Sequence, residues 1–441
     1  MAIGATCVWE FQTGGDDTFG GGFTSGGTDY STATTAQATL TTSSVVGATT
    51  TDIVVFATDY TVAATDVGNV MFLTGGSATA GFYEIMSVAT GVGQYWRMDR
   101  AVGTAGQTCP GKMGGCRKLI SSNSWGAATQ PGHIAWIKSG SYTLAAFSSV
   151  TAGTAALVIQ ILGYGSTRND NPTGASRPTL AAGTNAFTPG NFKIIRNFIM
   201  TTSHASGIDL GTASLLENCK ITSTNATSTN GAINQTTNSR VINCEVINGS
   251  GIGIKGAGNG NFTWFSYIHD SATGISFAGA SDGVFNSIFS TFSTAAISFV
   301  SGASRTLVMN CTLFGAETPA GTGILSTAGT AAVACEFFNN IIYGFTTGVN
   351  WATVVTDSIW DYNNFYNNTT DRTNVTAGVH DLALDPQFTN TGTGDFSIGT
   401  NLKAAGFPGA FQAGTSTGYL DIGAVQRVEP TGGGASWFSG E

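Results

Sequence analysis

From residue 207 onward, short apolar clusters recur at nearly even intervals, each three or four residues long with apolar and polar positions alternating. One cluster pairs a glycine with Ile or Val and a second apolar residue: Gly207-Ile208-Asp209-Leu210, Gly251-Ile252-Gly253-Ile254, Gly274-Ile275-Ser276-Phe277, Gly323-Ile324-Leu325 and Gly348-Val349-Asn350-Trp351. Weaker copies stand at Gly231-Ala232-Ile233 and Ala296-Ile297-Ser298-Phe299. The second cluster reads Asn218-Cys219-Lys220-Ile221, Asn243-Cys244-Glu245-Val246, Asn310-Cys311-Thr312-Leu313 and Asn339-Asn340-Ile341-Ile342. Looser copies are Phe265-Ser266-Tyr267-Ile268, Phe285-Asn286-Ser287-Ile288 and Tyr362-Asn363-Asn364-Phe365. Their fourth residues are spaced by 25, 22, 20, 25, 29 and 23 positions, and the two clusters stay in phase. Alternation of period two predicts strands. A repeat of ~24 residues holding two strands fits one coil of a parallel β-solenoid, since helical solenoids need ~33–47 residues per repeat.

Alternation also sorts the side chains. Cys219, Ile221, Cys244, Val246, Cys311 and Leu313 should point inward, and Lys220, Glu245 and Thr312 outward. Coils stacked ~4.8 Å apart line up equivalent positions. The expected interior column is Cys219, Cys244, Ser266, Asn286, Cys311, Asn340 and Asn363, with asparagine amides bonding from one coil to the next.

The rest of the chain differs in texture. Residues 1–27 are Gly-rich, with Gly20-Gly21-Gly22. Over 28–125, Asp52-Ile53-Val54-Val55-Phe56, Val70-Met71-Phe72-Leu73 and Phe82-Tyr83-Glu84-Ile85 read as strands of a small β-sandwich or barrel-like subdomain. Cys109 and Cys116 flank a Gly-rich loop with no nearby His, so no metal site is expected there. The solenoid is expected over 126–428, followed by a flexible tail at 429–441 whose Trp437 and Phe438 suit docking on a neighbouring subunit.

Composition narrows the class. Only 10% of the 441 residues are charged, against roughly 25% in an average soluble domain, which excludes a mostly helical chain. The net charge of −9 argues against nucleic acid and anionic membrane as partners. Seven cysteines, an odd count, suit reduced thiols better than a disulfide framework. The opening residues carry no basic segment followed by an apolar one, so the expectation is a protein made in a reducing cytoplasm.

Three stretches resemble right-handed parallel β-helix proteins of the pectate-lyase-like superfamily. They are Gly132-His133-Ile134-Ala135-Trp136-Ile137-Lys138 through Leu144, Ile161-Leu162-Gly163-Tyr164-Gly165 through Leu180, and the ending Asp385-Pro386-Gln387-Phe388 with Asp421-Ile422-Gly423-Ala424-Val425-Gln426. The resemblance implies an all-β fold, a right-handed parallel β-helix, and leaves activity open, because the superfamily mixes enzymes with non-catalytic virion proteins.

Catalysis needs placed acids, and the outward acids are sparse. If the chain is an enzyme, a polysaccharide lyase or glycoside hydrolase, the residues are Asp270, Asp282 and Glu245. His269-Asp270 is an unpromising dyad, because neighbours on a strand face opposite ways. Lys220 and Glu245 read as a surface ion pair, and Trp264 and Tyr267 as an exposed stripe for sugar rings. The function expected is a non-catalytic virion structural protein of a tailed bacteriophage: a capsid decoration, spike or fibre subunit. It would need no cofactor or metal, would trimerise so as to hide outward apolar residues such as Ile199 and Ile341, and would meet other virion proteins and a host-surface glycan.

Overall fold

In a computed structural model, the chain is all-β and winds into a β-solenoid of about 10 turns with about 23 residues per turn. The structure describes residues 3–426 except 46–51, 57, 77, 92, 104–105, 107, 121–127, 145–146, 149–150, 225–229, 301–302, 328–333, 355–356 and 409–419. Trp437 and Phe438 lie outside the described residues. Two compact units divide the chain, Met1–Thr201 and Thr202–Glu441.

In the first unit, strand Val8–Phe11 pairs in parallel with Ile134–Lys138, which pairs with Ile159–Tyr164 and through it with Lys193–Arg196. The solenoid therefore takes its first strand from the Gly-rich segment at 1–27, ahead of the 126–428 range expected for it. Between its first two strands the chain makes a seven-stranded antiparallel sheet, in the order Ala38–Leu40, Gly111–Met113, Val70–Leu73, Gly81–Ala89, Tyr95–Met98, Asp52–Val54, Ser44–Val45. A bridge from Ser44 to Thr108 ties its last strand back toward the Gly111–Met113 side, giving the sheet a barrel-like curl. Ile53, Met71, Leu73, Ile85, Trp96 and Met113 fill its core.

A buried ion pair fixes the first strand. Glu10 is fully buried, and Arg168 grips its Oε2 through Nε at 2.9 Å and Nη2 at 2.8 Å. Tyr164 also donates to Glu10, and Arg168 Nη1 reaches Asp29 Oδ2 at 3.0 Å. His133, wholly buried, accepts Trp9 Nε1–H on Nδ1 at 3.2 Å and faces the Gly4 carbonyl with Nε2 at 3.0 Å.

The second unit shows why the sequence repeats. Ile208, Ile233, Ile254, Ile275, Ile297, Ile324 and Val349 stack in register, one per coil, and all are buried. Each contributes about 1.5–3 kcal/mol by leaving water. A polar column runs beside them. Cys244 N–H donates to Ser266 Oγ at 3.2 Å, Ser266 N–H to Ser287 Oγ at 3.1 Å, Cys311 N–H to Asn340 Oδ1 at 3.0 Å and Asn340 N–H to Asn363 Oδ1 at 3.1 Å. The column member is Ser287 rather than the expected Asn286, because Ile268 pairs with Phe289.

Asn286 belongs to a different series. Asn218, Asn243, Phe265, Asn286, Asn310, Asn339 and Tyr362 all have φ between 48° and 57°, and each stands at the bend between two parallel sheets of the second unit: one of short strands, Leu215–Glu217, Arg240–Ile242, Phe262–Trp264, Gly283–Phe285, Leu307–Met309, Glu336–Phe338 and Ile359–Asp361, and one that holds the long strands Glu245–Gly256, Tyr267–Phe277 and Ile288–Phe299. Asparagine tolerates that left-handed conformation better than other non-glycine residues, which accounts for its recurrence there.

The last segment folds back over the outer face of the long-strand sheet. Phe396, Ile398, Leu402 and Ile422 close over Phe314, Ile341 and Tyr343. Asn339 Oδ1 accepts Phe407 N–H at 2.6 Å, and Thr312 Oγ1 accepts Ala424 N–H at 3.0 Å. Ile341, expected to be hidden by a neighbouring subunit, is fully buried beneath its own chain. That residue lends no support to trimerisation.

Candidate functional site

Just beyond the edge of this covering segment, three parallel strands present a polar cluster on the outer face: Lys220–Ser223, Glu245–Gly256 and Tyr267–Phe277. Register places Lys220 beside Glu245 and Glu245 beside Tyr267. Lys220 Nζ donates to Glu245 Oε1 at 2.7 Å, the ion pair read from the sequence. His269, two residues after Tyr267 and on the same face, stacks on the tyrosine ring at 4.2 Å. Its Nε2 stands 3.3 Å from Glu245 Oε1 and its Nδ1 2.8 Å from Asp270 Oδ2.

Strand alternation had set His269 and Asp270 on opposite faces, and the structure brings them together. Asp270 has φ of 47°, beside the register slips of this strand pair. A left-handed residue breaks the two-residue period, so Asp270 turns outward and its side chain is 56% exposed.

The charges interlock. Burial pulls His269 toward the neutral form, but its hydrogen bonds and charge interactions with Glu245 and Asp270 outweigh that and raise its pKa. The hydrogen bond from His269, joined by Lys220, holds Glu245 down to about 2 against the effect of burial. Both ring nitrogens of His269 are already engaged by carboxylates, which leaves neither free to meet a substrate, and a carboxyl held down to about 2 cannot donate a proton. The phenol of Tyr267 lies 3.0 Å from Ser290 Oγ, with Phe396 against its ring edge.

Asp282, expected among the outward acids, sits inside the solenoid and is 1% exposed. It ends a corner column in which each side chain accepts from the coil before it: Ser239 N–H donates to Asn261 Oδ1 at 3.1 Å, and Asn261 N–H to Asp282 Oδ1 at 2.8 Å. The three candidate acids thus do not form one site. Burial, partly offset by the Asn261 and Gly260 amides, pushes Asp282 up to about 7.

Trp264 and Tyr267 do not share a stripe. The chain bends at Phe265, φ 50°, leaving Trp264 on the short-strand sheet between Phe262 at 5.2 Å and Phe285 at 5.7 Å. Tyr267 lies on the other sheet. Lys255 pairs in register with Asn234 and Ser276, away from the His269 cluster. Among the described residues no group of three or more His, Cys, Asp and Glu stands close enough to hold a metal ion. All seven cysteines are free and buried.

No family model and no curated protein matches the chain. Among solved structures it is similar to pectate lyase Pel9A, with 13% identity, a TM-score of 0.42, and 70% of this chain and 91% of that one covered. A rhamnogalacturonan lyase aligns at 9% identity and a TM-score of 0.37, covering 64% of this chain and 91% of that one. The catalytic unit of the GH87 α-1,3-glucanase from Streptomyces thermodiastaticus strain HF3-3 aligns at 11% and 0.34, covering 81% and 87%. These neighbours are pectate-lyase-like β-helix proteins.

Proposed function

We propose that this chain is a non-catalytic structural subunit of a tailed-bacteriophage virion, a decoration, spike or fibre whose solenoid is a rigid scaffold for contact with neighbouring subunits and a host-surface glycan. The observation that carries the non-catalytic part is the closed charge cluster: Glu245 and Asp270 are both engaged by His269, and Asp282 is sealed in the interior. The virion part is supported by the depleted charge and by cysteines that are free and buried, as suits assembly in a reducing cytoplasm. The test is sedimentation of a producing lysate on a density gradient with mass spectrometry of the particle band. Fixed stoichiometry in that band is the expected result. Recovery only in the soluble fraction would overturn it.

One observation favours a second reading, a polysaccharide lyase or hydrolase: His269 bridges two carboxylates beside the stacked ring of Tyr267. Depolymerisation of a charged glycan by the purified chain, abolished in His269→Ala, would establish it.

A further inference from the structure

The two outer faces of the second unit are treated differently by the fold. The long-strand face is covered by the chain's own last segment. On the short-strand face that cover reaches Phe338, whose ring meets Phe407 at 5.5 Å. Ahead of Phe338 the outward positions are Ile242, Trp264, Phe285 and Met309, one per strand in unbroken register. The row beside them reads Leu215, Arg240, Phe262, Gly283, Leu307, Glu336 and Ile359. Gly283 is required at its centre, since a Cβ there would come within 2.6 Å of the Phe285 ring and 2.8 Å of the Phe262 ring.

Two charges flank this apolar surface. Arg240 and Glu336 are both exposed, and among the described residues neither takes part in an ion pair. Arg240 lies 5.8 Å over the Trp264 ring. In the strand order Arg240 stands two strands to one side of Gly283, and Glu336 two strands to the other. Roughly 19 Å, four strand spacings, separates them within one chain. A two-fold rotation about an axis along strand Gly283–Phe285 reverses the strand order while keeping each row in place. It sets Arg240 against Glu336 of a second copy twice over, Trp264 against the small exposed edge of Met309, Phe262 against Leu307, Ile242 against the Phe407 ring that covers Phe338, Leu215 against Ile359, and Phe285 against itself. Aromatic–sulfur and aliphatic contacts of this kind suit an interface core. The like-charged meeting of Glu217 with Asp361 falls at the rim, where Asp361 is already bonded to His380 at 2.8 Å.

We infer that the short-strand face of the second unit binds a second copy of this chain through a two-fold, face-to-face contact centred on Phe285. The inference gives the structural reading a partner, but it is tested on the purified chain, whereas residence in a particle is tested in the lysate. The patch spans about seven strands, ~34 Å by ~10 Å. That is small beside the ~800 Å² per partner of a standard stable interface, so a micromolar, concentration-dependent dimer is expected.

The experiment is sedimentation velocity of the full chain over a concentration series. Trp264→Lys should weaken the dimer by about tenfold or more, as loss of a central aromatic does. Arg240→Glu and Glu336→Arg should each weaken it roughly fivefold, and the double variant should return to within about twofold of wild type. Only a contact that brings the two charges together across copies gives that rescue. Should Trp264→Lys fail to fold, Ile242→Lys replaces it, and the exposed charge swaps stand independently. A chain monomeric at every concentration, a trimer, a dimer indifferent to these changes, or a double variant no better than the singles would each overturn the inference. A monomer that instead binds a neutral oligosaccharide through Trp264 would do so too.

Discussion

Removing the buried charge of Asp282 should change how stability depends on pH. Its Oδ1 accepts the Asn261 amide at 2.8 Å, whereas Oδ2 is buried and has no hydrogen-bond partner among the described residues. The folded chain therefore favours the protonated acid, titrating near 7 against an ordinary 3.8. A group whose folded pKa is raised contributes stability below the unfolded pKa and loses it as pH climbs through the folded one. At ~1.4 kcal/mol for each pH unit between those two values, the loss approaches about 4 kcal/mol once the carboxylate is fully charged. Asp282→Asn keeps an acceptor for Asn261 and carries no charge. The variant should match wild type within about 1 kcal/mol at pH 4. Near pH 8 it should exceed wild type by about 4 kcal/mol, or roughly 4–5 °C of melting temperature for a chain of 441 residues. Thermal melts followed by circular dichroism from pH 4 to pH 9 provide the assay. Parallel curves for the two proteins between pH 5 and pH 8 would refute the reasoning, since they would mean that the charge state of Asp282 does not differ between folded and unfolded chains.

Other outcomes follow from the same physics. Asn363→Ala strips the acceptor from the Asn340 amide and the donor to the Phe337 carbonyl inside the solenoid and should cost about 1–3 kcal/mol in urea titrations; Asn363→Asp sets a carboxyl against that carbonyl and beside Asp381, so it should recover part of that only at acid pH, where the new carboxyl is protonated and can donate. Arg168→Ala leaves Glu10 charged and buried, a loss of about 3–5 kcal/mol, and limited proteolysis should then cut first around strand Val8–Phe11. His133 is held neutral by burial, with a pKa lowered to about 4. Its contribution is present above pH 6.5 and lost as pH falls toward 4, about 3 kcal/mol in all. Acid melts of His133→Gln should lack that part of the slope.

Much of this architecture was legible from the chain alone. A solenoid coil repeats one local problem, burying a strand against the coils above and below, so the solution recurs in the sequence. The column from Ile208 to Val349, the Cys219-to-Asn363 column and the ion pair of Lys220 with Glu245 could all be read from spacing. The slip within the interior column, Asn286 for Ser287, arose where two unlike roles carry the same residue: asparagine serves both the left-handed bend and the interior ladder.

What the sequence determined was therefore whatever depends on period: the spacing of the coils, most inward and outward positions, and the stacking of like on like. Tertiary structure alone decided what breaks the period. The left-handed backbone at Asp270 turned a residue assigned to the opposite face into a partner of His269, and the bend at Phe265 parted Trp264 from Tyr267. Asp282 went inward because the corner column needed an acceptor for Asn261. The last segment covered Ile341 because a distant stretch of chain folded back on it, and local alternation carries no record of a contact about eighty residues away.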